Sequence, residues 1–129
     1  PHGKMRFLGL LMSQLQLEHD GRLIWTSVDL DFLRLNDTVP RDAFEIVNHF
    51  LHVKGVEVGV FFMEITKTRT KVSLRSAGTV DVCRVAKRHG GGGHRFAAGC
   101  AIDSMGLAVA IPHILEDIGE QLPPVEPEE

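Results

Sequence analysis

Four consecutive glycines, Gly90 to Gly93, run directly into His94 and Arg95. Glycine has no Cβ, so successive backbone N–H groups can turn toward one anion and a ligand can approach the main chain closely. An imidazole and a guanidinium at the end of the run add donors and charge of the kind that recognise phosphate. Ordering such a run costs more conformational entropy than ordering other residues, which favours a loop that is used. The bland alternative is a flexible linker, but linkers are Gly/Ser-rich and join independent units. Here Val82, Val85 and Ala86 precede the run at helical spacing, and the apolar stretch Phe96 to Ile102 follows it. The run therefore lies inside a fold.

Charge placement points the same way. Between Thr66 and Arg95 stand eight bases (Lys67, Arg69, Lys71, Arg75, Arg84, Lys87, Arg88, Arg95) and one acid, Asp81, so this window carries +7 and the rest of the chain −10, for a net −3. A local basic field beside a glycine loop favours phosphates. A solvated face is sufficient explanation for Lys67 and Arg69 in a turn. It explains Arg75 less well, because strand alternation in Lys71 to Arg75 puts Val72 and Leu74 on one face and Lys71, Ser73 and Arg75 on the other.

Other chemistries are excluded by spacing. No G-x-x-x-x-G-K-[ST] and no G-x-G-x-x-G passes through Gly90 to Gly99, which removes P-loop ATP hydrolysis and dinucleotide binding. No serine sits in a G-x-S-x-G context. Cys83 and Cys100, with His89 and His94 nearby, lack the paired spacings of a structural zinc site and read as reduced small core residues. Asp29-Leu30-Asp31 reads as helix capping. His49 and His52 could share a helix face but have no third ligand at a sensible spacing.

These groups need a scaffold, and 129 residues at 43% hydrophobic are enough for one ordinary domain with a real core. Apolar runs fall short of the roughly 20 residues of a membrane span, no secretory signal is evident, and the cytoplasm is the expected compartment. Met5, Phe7, Leu8, Leu10, Leu11, Met12, Leu15 and Leu17 surround a first helix rather than striping it, so residues 1–19 are expected to form a linker helix that meets a further surface. Because the chain opens at Pro1, a preceding N-terminal domain is expected. Beyond the Asp20-Gly21 turn, Arg22–Val28 reads as a strand and Asp29 caps a short helix through Leu35. Pro40 is placed to start a helix with Phe44, Val47, Phe50 and Leu51 at helical spacing, ending before Gly55. Strands Val56–Ile65 and Lys71–Arg75 form a hairpin across Thr66 to Thr70, and Val80–His89 returns to helix. A strand over Gly99–Ile102, a helix from Ser104 to Leu122 with a kink at Pro112, and an acidic tail at 123–129 complete an α/β domain with a mixed β-sheet flanked by helices.

With those residues assembled, a resemblance can be stated. Gly90 to Gly99 (GGGGHRFAAG), Lys71 to Ser76 (KVSLRS) and Val80 to Val82 (VDV) resemble the DHHA1 domain of DHH-family phosphoesterases. The wording GVEVGVFF and DGRLIWTSV is most similar to the branch of bifunctional oligoribonucleases and phosphoadenosine-phosphate (pAp) phosphatases. The resemblance implies a DHHA1 substrate-binding domain over 20–122, joined to an N-terminal DHH domain of the same chain in which two manganese ions activate water. It also implies that the backbone of Gly91, Gly92 and Gly93, with His94, holds a substrate phosphate and that Arg75 pairs with a phosphate in the same cleft.

No Asp-His-His triplet is present. The expectation is therefore that this portion binds no metal or cofactor itself, contributes no catalytic group beyond assistance from His94, and hydrolyses nothing alone. Expected partners are short RNA oligonucleotides or pAp, no membrane is expected, and a homodimer is compatible with the sequence. The alternatives are a non-catalytic nucleic-acid-binding module like the C-terminal domain of alanyl-tRNA synthetases, or the same domain from a single-strand exonuclease, a cyclic-dinucleotide phosphodiesterase or a polyphosphatase. A histidine directly after the glycines favours the phosphoesterases, and few aromatic residues are free of the expected core to stack long single strands.

Overall fold

The structure, a computed structural model, describes residues 2–36 and 44–124. In chain order the elements are α1 (His2–Met12), β1 (Gln16–Glu18), β2 (Leu23–Val28), α2 (Leu30–Leu35), a 3-10 helix (Phe44–His52), β3 (Val58–Thr66), β4 (Arg69–Ser76), α3 (Val82–Arg88), β5 (Gly92–His94), β6 (Ala97–Asp103) and α4 (Leu107–Gly119). The strands make one six-stranded sheet in the order β1-β2-β3-β4-β6-β5. Only β2 and β3 pair in parallel, across the connection that carries α2 and the 3-10 helix; the other pairs are antiparallel. This is the expected α/β fold with a mixed sheet flanked by helices.

Local chemistry accounts for the elements. Asp29 caps α2 by accepting from the Phe32 N–H at 2.7 Å, and Glu64 accepts from the Leu30 N–H at 3.2 Å. In β3, Val58 to Glu64 are buried without alternation, as a central strand covered on both faces must be. Asp81 caps α3 through the Arg84 N–H at 3.1 Å. No helix among the described residues is long and apolar enough to cross a membrane.

Two cores result, one on each sheet face. Val58, Val60, Phe62, Val72, Leu74 and Cys100 pack under α3 and α4 through Val85, Ala110, Ile114 and Ile118. On the opposite face Ile24, Val28, Phe61 and Met63 are covered by Phe7 and Leu11 of α1, Leu33 of α2, and Ile46, Val47 and Phe50 of the 3-10 helix. That second cover ends at β4. Arg75 and Lys71 of β4 still touch the 3-10 helix, but among the described residues no helix lies over the outward rows of β6 and β5, and Ala97, Gly99 and Ala101 are half-buried there.

Several boundaries differ from the sequence reading. The first helix stops at Met12, and Gln16–Glu18 instead form an edge strand on β2. His19, Asp20 and Gly21 all take positive φ to reverse the chain, and Glu18 accepts from the Trp25 indole at 3.4 Å. The helix expected from Pro40 is a 3-10 helix where it is described, and Pro40 itself lies outside the described residues. The last helix begins at Leu107 rather than Ser104. Ser104 has φ 68°, and a Cβ on Gly106 would lie 2.3 Å from the Lys67 carbonyl oxygen, so the chain turns closely there first. Strand β6 is longer than expected because it pairs with β4 from Ala97 to Asp103. On α1, Phe7 and Leu11 are buried while Met5, Leu10 and Met12 are exposed. Residues 125–129 of the acidic tail lie outside the described residues.

Candidate phosphate-binding face

The glycine run is not one open loop. Gly90 donates to the Lys87 carbonyl at 3.3 Å and Gly91 to the Ala86 carbonyl at 2.9 Å, a Schellman closure that ends α3. A Cβ on Gly91 would meet the Gly99 carbonyl oxygen at 2.1 Å and the Cys100 Cβ at 2.5 Å. Gly91 is thus required by packing, and its N–H is already used. Gly92–His94 then form the edge strand β5, paired with β6 across the two-residue turn Arg95-Phe96. The Gly93 carbonyl accepts from the Cys83 thiol at 3.4 Å, so in the alternating antiparallel pattern its N–H also points outward from the edge.

Gly92 differs from its neighbours. A Cβ there would meet nothing within 4 Å, and its backbone is not in the left-handed region. Nothing in the described structure requires glycine at this position. The register shows where a side chain would go: Gly92 stands opposite Gly99, which stands opposite Ser73, and all share the uncovered face. The adjacent row is His94, Ala97 and Arg75. Directly opposed residues project to the same side, so His94 and Arg75 flank Ala97 at two strand spacings, about 10 Å between backbones. Between them lies a floor of glycine and alanine, wide enough for a phosphate group.

Arg75 is held in place. Its Nε donates to Oδ1 of Asn48 at 3.3 Å and its Nη1 to the Leu74 carbonyl at 2.9 Å, which uses two of the five guanidinium N–H groups. Asn48 is exposed on the 3-10 helix, which Phe50 seats on the sheet by lying over Gly59, the residue opposite Arg75. Sequence reasoning did not single out Asn48. Its polarity on an amphipathic helix was visible, but the strand residue it would meet was not. Phe96 was likewise read within an apolar stretch, yet it is 54% exposed in the turn after β5, with its ring edge near Gly78.

The remaining bases of the charged window disperse. Lys67 is exposed in the hairpin turn and Arg69 pairs with Asp103 at 2.8 Å. Arg88 bridges Asp117 and Glu120, both at 3.1 Å, and His89 contacts Asp117 at 2.9 Å, tying α3 to α4 behind the glycine turn. Arg84 and Lys87 line a hollow on the outer surface of α3, away from the uncovered face. Arg95 reaches the Gly78 carbonyl at 3.4 Å. Among the described residues no three His, Cys, Asp or Glu side chains gather into a possible metal site, and the rings of His49 and His52 lie edge to face at 6.0 Å. The described residues therefore offer no ligand set for the manganese pair that the resemblance implies for the other domain.

The cysteines are unpaired, and their surroundings make a test of the fold. Burial under α3 pushes the Cys100 thiol from 9.0 up to about 11. The folded state favours its protonated form, so this contribution to stability is intact below pH 9 and is lost as pH rises through 11. At pH 8 iodoacetamide is expected to alkylate half-exposed Cys83 and to spare Cys100 until the chain unfolds. Mass spectrometry showing equal labelling of both in the folded chain would contradict the packing of β6.

Known proteins resemble this chain in sequence and fold. The chain is 30% identical over 122 residues to the bifunctional oligoribonuclease and PAP phosphatase NrnA of Thermus thermophilus, covering 95% of this chain and 36% of that protein. An exopolyphosphatase-related protein from Bacteroides fragilis superposes with a TM-score of 0.83 at 25% identity, over 93% of this chain and 35% of that one. The pGpG-specific phosphodiesterase PggH of Vibrio cholerae shares the fold, with a TM-score of 0.65 at 13% identity over 93% of this chain and 39% of its own. In each case the chain spans little more than a third of the relative's length. Residues 31–122, which run from α2 through β4 and the glycine turn to the end of α4, match the DHHA1 domain. The chain therefore belongs to the DHHA1 domain family.

Proposed function

We propose that this chain is the substrate-binding domain of a DHH-family phosphoesterase that hydrolyses short oligoribonucleotides and pAp. The observation that carries the reading is the uncovered sheet face on which Arg75, His94 and Gly92 surround a floor of small residues. There Arg75 and a ring N–H of His94 bind phosphate oxygens, Gly92 admits the ligand to the backbone, and the outward Gly93 N–H adds a donor at the edge. Gly91 acts indirectly, by closing α3 so that β5 starts in register. Similarity to an oligoribonuclease and PAP phosphatase supports the substrate class.

On this reading the hydrolytic chemistry belongs to an N-terminal DHH domain, whose manganese ions supply the activated water, and the exposed Met5, Leu10 and Met12 on α1 suit packing against it. This chain alone is then expected to turn over nothing. Manganese-dependent hydrolysis by the purified, nuclease-free 129-residue chain would contradict the division of labour.

The binding role is tested by NMR titration with pAp and a short oligoribonucleotide. Saturable shifts are expected at the amides of 92–95 and around Arg75. Arg75→Ala and His94→Ala should each weaken binding by roughly 1.5–3 kcal/mol, the range for hydrogen bonds to charged groups. Lys67→Ala, in the exposed turn, should leave it nearly unchanged. Unaltered affinity in folded Arg75 and His94 variants would remove this face from consideration.

A further inference from the structure

The face that holds Arg75 and His94 continues along β6. On the β4 side the same-face residues after Arg75 are Ser73, Lys71 and Arg69, and opposite them on β6 stand Gly99, Ala101 and Asp103. Strand β5 ends at Gly92, so beyond the Gly99 row the described residues that border the floor belong to β4 and the 3-10 helix. Lys71 lies four residues from Arg75, about 13 Å at the strand rise. Its ammonium rests 4.4 Å from the centroid of Phe44, and it has no carboxylate partner among the described residues. One row further, Asp103 neutralises Arg69 at 2.8 Å and places a carboxylate at the end of the row.

We infer that Lys71 is a second phosphate subsite, reached along the Gly99-Ala101 floor, and that the Arg69–Asp103 pair ends the lane and so limits the length of linear phosphate chain bound. The inference rests on the proposed binding role of Arg75 and His94 and adds to it a residue that reads the ligand's extent. A mononucleotide occupies only the Arg75 end. A chain a few nucleotides long reaches Lys71, and a longer one meets Asp103. The floor supplies no side chain large enough to read base identity, so charge spacing rather than sequence decides what binds here.

The probes are adenosine 5′-monophosphate, a 5′-phosphorylated tetraadenylate and inorganic tetraphosphate, titrated calorimetrically over a range of salt into the 129-residue chain and its variants. Lys71→Gln is expected to weaken the tetranucleotide about five-fold and to lower the magnitude of its salt slope by about 0.7, one phosphate contact, with the mononucleotide unchanged. Asp103→Asn is expected to strengthen the tetranucleotide, since it frees Arg69 and removes a like charge. Dependence on Lys71 with the tetranucleotide alone assigns the lane to nucleotide chains, and with tetraphosphate alone to polyphosphate. Equal weakening of mononucleotide and tetranucleotide by Lys71→Gln, or no weakening of any probe, overturns the subsite. Arg75→Gln separates the two levels: it should weaken every probe. If it weakens none, the binding role of the face itself has failed and not merely its extension.

Discussion

Replacing Gly91 by alanine is expected to lower stability by about 3 kcal/mol or more, the upper range for overpacking a site that cannot relax. The added methyl would stand 2.1 Å from the Gly99 carbonyl oxygen and 2.7 Å from the Cys100 Cα, and both are backbone atoms of the neighbouring strand. Relief requires β5 to separate from β6 or the Gly91 hydrogen bond to Ala86 to break. Chemical denaturation should show the midpoint falling with the slope unchanged. The neighbouring substitution makes the contrast. Gly92→Val has open space and an ordinary backbone, so its midpoint should move by no more than about 0.5 kcal/mol, as for a surface change. Its branched side chain nevertheless stands on the floor between Ser73 and the edge, and pAp binding should be lost. Two adjacent glycines would then separate, one serving the fold and one the ligand. Stable Gly91→Ala together with ligand-competent Gly92→Val would refute both assignments.

The second large effect lies away from the ligand. Phe50→Ala is expected to cost roughly 3–5 kcal/mol, as for other buried aromatic truncations. Phe50 is 1% exposed and lies over Gly59, where even a Cβ would come within 2.6 Å of it. That contact brings the 3-10 helix down onto β3 and sets Asn48 beside Arg75. Loss of the ring therefore loosens the arginine as well as the core. In the folded fraction at low temperature, affinity for pAp should fall although no group that touches the ligand has changed. Thermal denaturation and calorimetry at the same temperature separate the two effects. An unchanged midpoint would mean that the 3-10 helix is not anchored through Phe50.

Much of the local structure was legible because it depends on near neighbours. Asp29 is readable as the cap of a short helix and caps one, whereas the helix expected over Val80–His89 starts at Val82 with Asp81 as its cap. The hairpin turn between β3 and β4 falls within Thr66 to Thr70. Alternation in Lys71 to Arg75 split the strand into an apolar and a basic-polar face, and the structure buries Val72 and Leu74 while leaving Lys71 exposed and Ser73 and Arg75 half-buried. Beta strand β1 was missed because three residues show too little periodicity to stand against the helical spacing of Leu8, Leu11 and Leu15 before them. The glycines were read as one loop because nothing in the residue types distinguishes a helix closure from an edge strand.

What the sequence determined by itself was the inventory and its local order: an α/β domain, a basic window, a glycine run closed by histidine, and a strand with Arg75 on its polar face. Tertiary structure decided which of those groups meet. The insertion of β6 between β4 and β5 puts His94 on the same face as Arg75, and among the described residues the cover of the 3-10 helix stops at β4 and leaves β6 and β5 open on that face. The pairing of Arg69 with Asp103 and of Arg88 with Asp117 and Glu120 likewise withdraws cations that a count along the chain had included. The physical reason is register. Side-chain direction along a strand is set by its own alternation, whereas the neighbour across the sheet is set by hydrogen bonds between segments distant in sequence.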